Sequence, residues 1–134
     1  MERLKQQLRI ASQALARLSE LTNQSSWTMI ERDAMIQRFG YTFEATWKAA
    51  QVYLREIEGL ITNSSKSVFR LSWQTGLFDE HTAQIALQMC EARNMTVHIY
   101  NEKIASSLAL QILEYNKVLQ KWLMAMEKRI IEND

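Results

Sequence analysis

The sequence predicts an all-α fold, an antiparallel up-and-down bundle of three long and two shorter helices, and three observations carry that prediction. The 134 residues contain no proline and only three glycines, too few turn-forming residues for a many-stranded sheet. Apolar residues recur at alternating intervals of three and four, the period of a helix with one buried face. Residues that close the free amides of a helix start stand where these stripes begin. With 47% of residues apolar the chain has material for one core, and neither a linker nor an internal repeat divides residues 1–134 into more than a single domain.

Leu4, Leu8, Ala11, Leu15, Leu18 and Leu21 form the stripe of the first helix, which the polar run 22–26 ends. Thr28 and Glu31 have the spacing of a capping box, in which hydroxyl and carboxylate each satisfy an amide of the other residue, so a second helix starts there. It carries Ile36, Phe39, Phe43, Trp47, Ala50, Leu54 and Ile57 and stops at Gly59, which takes a left-handed exit without a Cβ penalty. Gly40 in its interior costs about 1 kcal/mol relative to alanine, and reads as a close approach of another backbone, a bend, or plain tolerance. Glu44 and Lys48, one turn apart, read as an i to i+4 ion pair.

Residues 66–75 read as a short helix with Phe69 and Trp73 one turn apart and Gly76 beyond its end. Asp79 caps a fourth helix with Ile85, Met89 and Ala92 on its apolar face. The pattern breaks over 94–100, with Asn94 as a left-handed exit residue. From Asn101, a good N-cap, the last helix runs to about 129 on Ala105, Leu108, Ile112, Tyr115, Leu119, Trp122 and Met126, and 132–134 should fray. Trp27, Tyr41, Phe78 and Leu110 fall outside the stripes, more large side chains than a small bundle buries alone, and a homodimer would cover some of them.

Several function classes drop out on charge and composition. Lys plus Arg total 16 against 15 Asp plus Glu, a net charge of +1, so no global field draws the chain to nucleic acid or a membrane and any such binding is local. The single cysteine, Cys90, excludes an intrachain disulfide and multi-cysteine metal sites, fits a reducing compartment, and reads as a small core residue. The charged N-terminus lacks an apolar targeting segment and no long uncharged stretch follows, so the expectation is a cytoplasmic protein without membrane attachment. No glutamate stands three residues before either histidine, as carboxylate-bridged metal bundles require, and there is no Gly-rich phosphate loop or nucleophile-elbow serine; neither metal nor cofactor is expected.

His81, beside Asp79 and Glu80 in a first helical turn, reads as solvated. His98 stands in a denser setting, with Arg93, Asn94, Thr96 and Tyr100 within eight residues. One account is an ordinary helix end, with Arg93 complementing the helix dipole. The other is a phosphate site: a guanidinium holds a phosphoryl group through parallel hydrogen bonds, and an imidazole titrates near neutrality. These are the two groups needed for metal-free RNA cleavage, in which the 2′-hydroxyl attacks phosphorus, a base removes its proton and a cation stabilises the added charge. DNA lacks that internal nucleophile. With one histidine per site, a second copy would supply the missing general acid.

The segment from Arg93-Asn94 to His98-Ile99-Tyr100 resembles the Arg-x4-His-x-Tyr signature of HEPN-domain proteins, including the polar residue after the arginine. The stretch 37–48, Gln-Arg-Phe-Gly-Tyr-Thr-Phe-Glu-Ala-Thr-Trp-Lys, is similar to the second-helix segment of the nucleotidyltransferase substrate-binding protein family, and Ser67 to Arg70 with Gly76-Leu77 resembles its next helix. The resemblance spans nearly the whole chain in order. It implies a small dimeric bundle made alongside a minimal nucleotidyltransferase (MNT), a toxin-like RNase paired with an antitoxin. Arg93 and His98 would be its catalytic pair, Arg93 and Asn94 its phosphate-binding residues, and Tyr100 the tyrosine that the partner modifies with AMP. Val97, Ile99 and Asn101 depart from the family's more polar or acidic residues there. The family name also implies an alternative, a non-catalytic subunit that binds a nucleotide or substrate for a separate transferase. Arg38, Lys48 and Arg70 either lend charge to the phosphate site or are simply solvated.

Overall fold

The computed structural model describes residues 1–133, and helices account for nearly all of them: α1 (Glu2–Thr22), α2 (Met29–Ile57), α3 (Ser65–Gln74), α4 (Glu80–Met95) and α5 (Glu102–Asn133), with a 3₁₀ turn at Thr96–His98 between α4 and α5. Among the described residues there is no strand. Local chemistry sets most boundaries. Thr28 Oγ1 accepts from the Glu31 amide at 3.1 Å while Glu31 Oε1 accepts from the Thr28 amide at 2.9 Å, the predicted capping box. Ser64 caps α3 through the Ser67 amide, and Asp79 caps α4 through the Thr82 amide at 2.7 Å. Gly59 and Gly76 follow their helices at φ +70° and +85°, where an L side chain is strained.

Polar pairs fix how the rods run. The α1 amino terminus meets Glu56 near the end of α2 at 3.3 Å, and Arg38 donates to the Arg17 carbonyl at 2.7 Å, so α1 and α2 are antiparallel. Asn116 of α5 donates to Ser19 at 3.1 Å and Ser12 to Glu127, so α5 is antiparallel to α1 as well. It therefore runs with α2: Arg32 pairs with Glu102 at one end, Phe39 stacks on Tyr115 with centroids 5.7 Å apart, and Arg129 reaches Tyr53 at the other. α4 returns against α5, which makes α1, α2, α4 and α5 the predicted up-and-down array, with short α3 inserted before α4.

The predicted stripes form the core, with Leu4, Ala11, Leu18, Phe39, Leu54, Ile112, Leu119 and Trp122 all at 0% exposure. Phe69 links the layers, its ring 5.7 Å from Phe43 and 4.9 Å from Trp122. Several expectations need correction. Phe78, off the stripe, is buried, because the turn after α3 folds its ring to 5.0 Å from Trp122. Trp27 is half-buried and donates to the Leu21 carbonyl at 2.7 Å, whereas Tyr41 and Leu110 are exposed. Trp73, one turn beyond buried Phe69, is exposed. Asn94 is not a left-handed exit: among the described residues none other than glycine has positive φ, and α4 continues to Met95. Glu132 and Asn133 stay helical, with the Asn133 amide donating to the Arg129 carbonyl at 2.8 Å, and Asp134 lies outside the described residues. Among the described residues no helix is long and apolar enough to cross a membrane.

Candidate functional site

The site is built where the last turn of α4 crosses the middle of α2. Arg93 leaves the final turn of α4, and Thr96, the residue that caps this helix, holds it from both sides. Thr96 Oγ1 accepts from Arg93 Nη1 at 2.7 Å and donates to the Arg93 carbonyl at 2.8 Å, tying the guanidinium to its own turn. Opposite, a Cβ on Gly40 would lie 3.4 Å from Arg93 Cζ and 3.5 Å from Nε. Gly40 thus admits the Arg93 side chain against α2; the partner in this close approach is a guanidinium, not another backbone.

Glu44, one turn beyond Gly40, brings Oε1 to 3.5 Å from Arg93 Nε. That contact neutralises charge but lacks hydrogen-bond alignment, and the buried Nε has no hydrogen-bond partner among the described residues. The other Glu44 oxygen accepts from Trp47 Nε1 at 3.1 Å. Glu44 therefore serves Arg93 and Trp47, and the expected pair with Lys48 is not formed among the described residues. Because that atom is buried, an anion would have to displace the Glu44 carboxylate to take the bond that Nε lacks.

A cleft of about 520 Å³ opens from Arg93 along α2, lined by Asp33, Gln37, Gly40 and Tyr41 and, across from them, by Arg93, Thr96 and Ile99. In a 3₁₀ turn residues three apart eclipse, so Thr96 and Ile99 face the cleft together. His98 lies off that face and does not line the cleft. Its Nδ1 is 3.4 Å from the Tyr100 hydroxyl, with the rings edge to face at 6.0 Å. Tyr100 is 85% exposed, and Asn94 is exposed on the last turn of α4. Within one chain, then, Arg93 and Thr96 belong to the cleft while His98 and Tyr100 form a second pair beside it, and no hydrogen bond joins Arg93 to His98 among the described residues.

The other polar candidates separate from this site. Arg38 is engaged with α1, through the Arg17 carbonyl and Glu20 at 3.2 Å. Lys48 and Arg70 are exposed and do not line the cleft. His81 is exposed and lies beside Lys117 and Lys121 in a different depression. Burial pushes the Cys90 thiol up to about 11, which leaves it un-ionised at neutral pH. Among the described residues no group of three or more His, Cys, Asp or Glu side chains is arranged to hold a metal. Gly40, Glu44 and Thr96 were not predicted as site residues; the lone glycine inside an otherwise regular helix was the available signal.

The bundle is all-helical among the described residues and carries the segment from Arg93 to Tyr100 at the junction of α4 and α5. Residues 5–128 match the family model described as nucleotidyltransferase substrate binding protein like, and the chain belongs to that family. A crystal structure of a Thermus thermophilus protein is similar at 45% identity, with a TM-score of 0.84 over 87% of this chain and 98% of that one. At 15% identity, a mutant of the MntA–HpeT toxin–antitoxin superposes with a TM-score of 0.77 over 96% of this chain and 99% of that one. A tri-AMPylated Shewanella oneidensis HEPN toxin, solved in complex with its MNT antitoxin, is 19% identical with a TM-score of 0.69 over 93% of this chain and 96% of that one. No functionally curated protein matches the sequence.

Proposed function

We propose that this protein is the HEPN, toxin-like member of a two-component toxin–antitoxin system whose other member is an MNT nucleotidyltransferase, and that it is a metal-independent endoribonuclease. The observation that carries the reading is Arg93, clamped by Thr96 at the head of the cleft with an orphaned Nε, in a chain that shares its fold with toxins of such pairs. Arg93, with Asn94 beside it, binds the phosphate. The RNA 2′-hydroxyl oxygen attacks phosphorus, the bond to the 5′-oxygen breaks, and a cyclic phosphate forms. His98 accepts the 2′-hydroxyl proton or returns one to the leaving oxygen, while Arg93 stabilises the developing charge.

His98 stands off its own cleft, which favours a homodimer in which a second copy completes the site. Met29, Ile30 and Leu110, exposed at 64%, 83% and 66%, supply apolar surface for it. Tyr100 is the proposed AMPylation site: its exposed hydroxyl oxygen attacks the α-phosphorus of ATP in the transferase and pyrophosphate leaves. The added negative charge near His98 and Arg93 then repels the RNA phosphate. The second reading, a non-catalytic subunit that binds a nucleotide or substrate for the transferase, draws support from the cleft, whose 520 Å³ falls within the roughly 300–1,000 Å³ of small-ligand sites.

Purified, unmodified protein should cleave single-stranded RNA in the presence of chelator, with His98→Ala and Arg93→Ala each reducing the rate by about 100-fold or more. Equal cleavage by His98→Ala removes that residue from the mechanism, and no cleavage by the wild type favours the binding subunit. After incubation with the transferase and ATP, intact mass should rise in AMP-sized steps. A full gain in Tyr100→Phe would exclude this tyrosine.

A further inference from the structure

We infer that the α2 wall of the cleft is a nucleobase subsite, with Tyr41 as the platform on which one unstacked base of a single-stranded RNA or a free nucleotide lies. The inference rests on the phosphate reading of Arg93 and extends it to the rest of the same nucleotide.

Tyr41 is a large aromatic left 60% exposed beside the core, yet it is held in place: the Gln37 amide, one turn back on α2, donates to its hydroxyl at 2.8 Å. Asp33, Gln37 and Tyr41 follow one another at four-residue spacing, a ridge about 12 Å long at 1.5 Å per residue, and all three line the cleft. Gly40 is the immediate neighbour of Tyr41, and the Arg93 guanidinium lies over it. Ring and guanidinium therefore flank the same level of α2, one offering a π face and the other charged N–H donors.

A nucleotide has matching parts, a flat base joined through a sugar to an anion. Proteins that read unpaired bases stack them on aromatic rings and hold the backbone with cations. An apolar protein side chain at this place would match the ring but not the orphaned N–H of Arg93. Ile30, the exposed apolar residue at the other end of the cleft, stands eleven residues from Tyr41, about 16 Å along α2, so a dimer contact there leaves the tyrosine open.

The test titrates the full-length protein with AMP, ribose 5-phosphate and inorganic phosphate, followed by NMR shifts so that weak binding is measured. AMP should bind more tightly than ribose 5-phosphate. Tyr41→Ala should weaken AMP about tenfold and leave ribose 5-phosphate unchanged, whereas Tyr41→Phe, which keeps the π face, should stay within about twofold of wild type. Arg93→Ala should weaken all three ligands. AMP affinity unaffected by Tyr41→Ala overturns the base subsite while leaving the phosphate site standing. Loss of AMP binding in Tyr41→Ala with no effect of Arg93→Ala upholds the subsite and overturns the phosphate reading. Sedimentation of Tyr41→Ala closes the remaining route: a shift to a smaller species would place the ring against a second copy and overturn the assignment.

Discussion

At the scale of single residues, environment separates inert from reactive groups. Cys90 is 5% exposed on α4, and burial holds its thiol at about 11. Because burial penalises the thiolate, the fold is unaffected by this group below the ordinary thiol value of 9.0 and loses stability as pH climbs from there to about 11. At pH 8 a small thiol reagent should modify the native protein at least about 100-fold more slowly than the urea-unfolded chain, since far less thiolate is present. Absorbance of the released leaving group checks it, and comparable rates would mean that the thiol is open to solvent. Arg93 was legible in the sequence as a candidate because its neighbours carried chemistry. Its supports were not, since Gly40 and Glu44 lie about fifty residues upstream on another helix and meet it through tertiary packing alone.

At the scale of elements, caps set most boundaries, and caps are readable because they are local. Thr28 with Glu31, Ser64, Asp79 and the two glycines with positive φ mark helix ends within a residue or two of where the sequence places them. Composition hides the end of α4, because Asn94 resembles an exit residue. The actual stop is the Thr96 hydroxyl, which bonds back to the Arg93 carbonyl and leads into the 3₁₀ turn. Thr28→Ala should cost about 1 kcal/mol, within the usual span for losing a threonine cap, read as a lower urea midpoint at unchanged slope. The bonds to Thr28 hold the Glu31 carboxyl below its usual range. Its share of the box is thus present above the ordinary glutamate value and lost as pH falls through the depressed one. The penalty of Glu31→Ala should accordingly shrink in acid, and a constant penalty from pH 7 to pH 3 would contradict the part its carboxylate plays in the box.

At the scale of the whole molecule, the long-range order of the bundle was legible through its stripes, while the centre where the layers meet was only half so. Phe69, Phe78 and Trp122 pack within 6.3 Å of one another, yet Phe78 lies on no stripe and Trp73, which shares its spacing with Phe69, faces solvent. Periodicity assigns a face to a helix and says nothing about the turn that folds Phe78 back. Trp122 is fully buried with its indole N–H unpaired among the described residues, which detracts from what its burial contributes. Phe69→Ala should lower stability by about 3–5 kcal/mol, as large-to-small changes at buried aromatics do. Trp122→Phe removes the orphan donor together with part of the ring and should cost less than half as much. Calorimetric unfolding of both variants decides the ranking, and a reversed order would mean that the indole N–H is bonded to buried water.

The bare backbone at Gly40 makes the site adjustable from outside it. The three atoms nearest to its absent Cβ all belong to the Arg93 guanidinium. Alanine there would only touch that group and would suit the helix better than glycine, whereas a leucine must push the guanidinium away. Position 40 is therefore a throttle that acts on the Arg93 guanidinium by displacing it, with no charged residue replaced. For a protein whose proposed activity harms the cell that makes it, such a position offers a disarmed form that keeps every charged residue, suitable for production and for capturing the partner transferase.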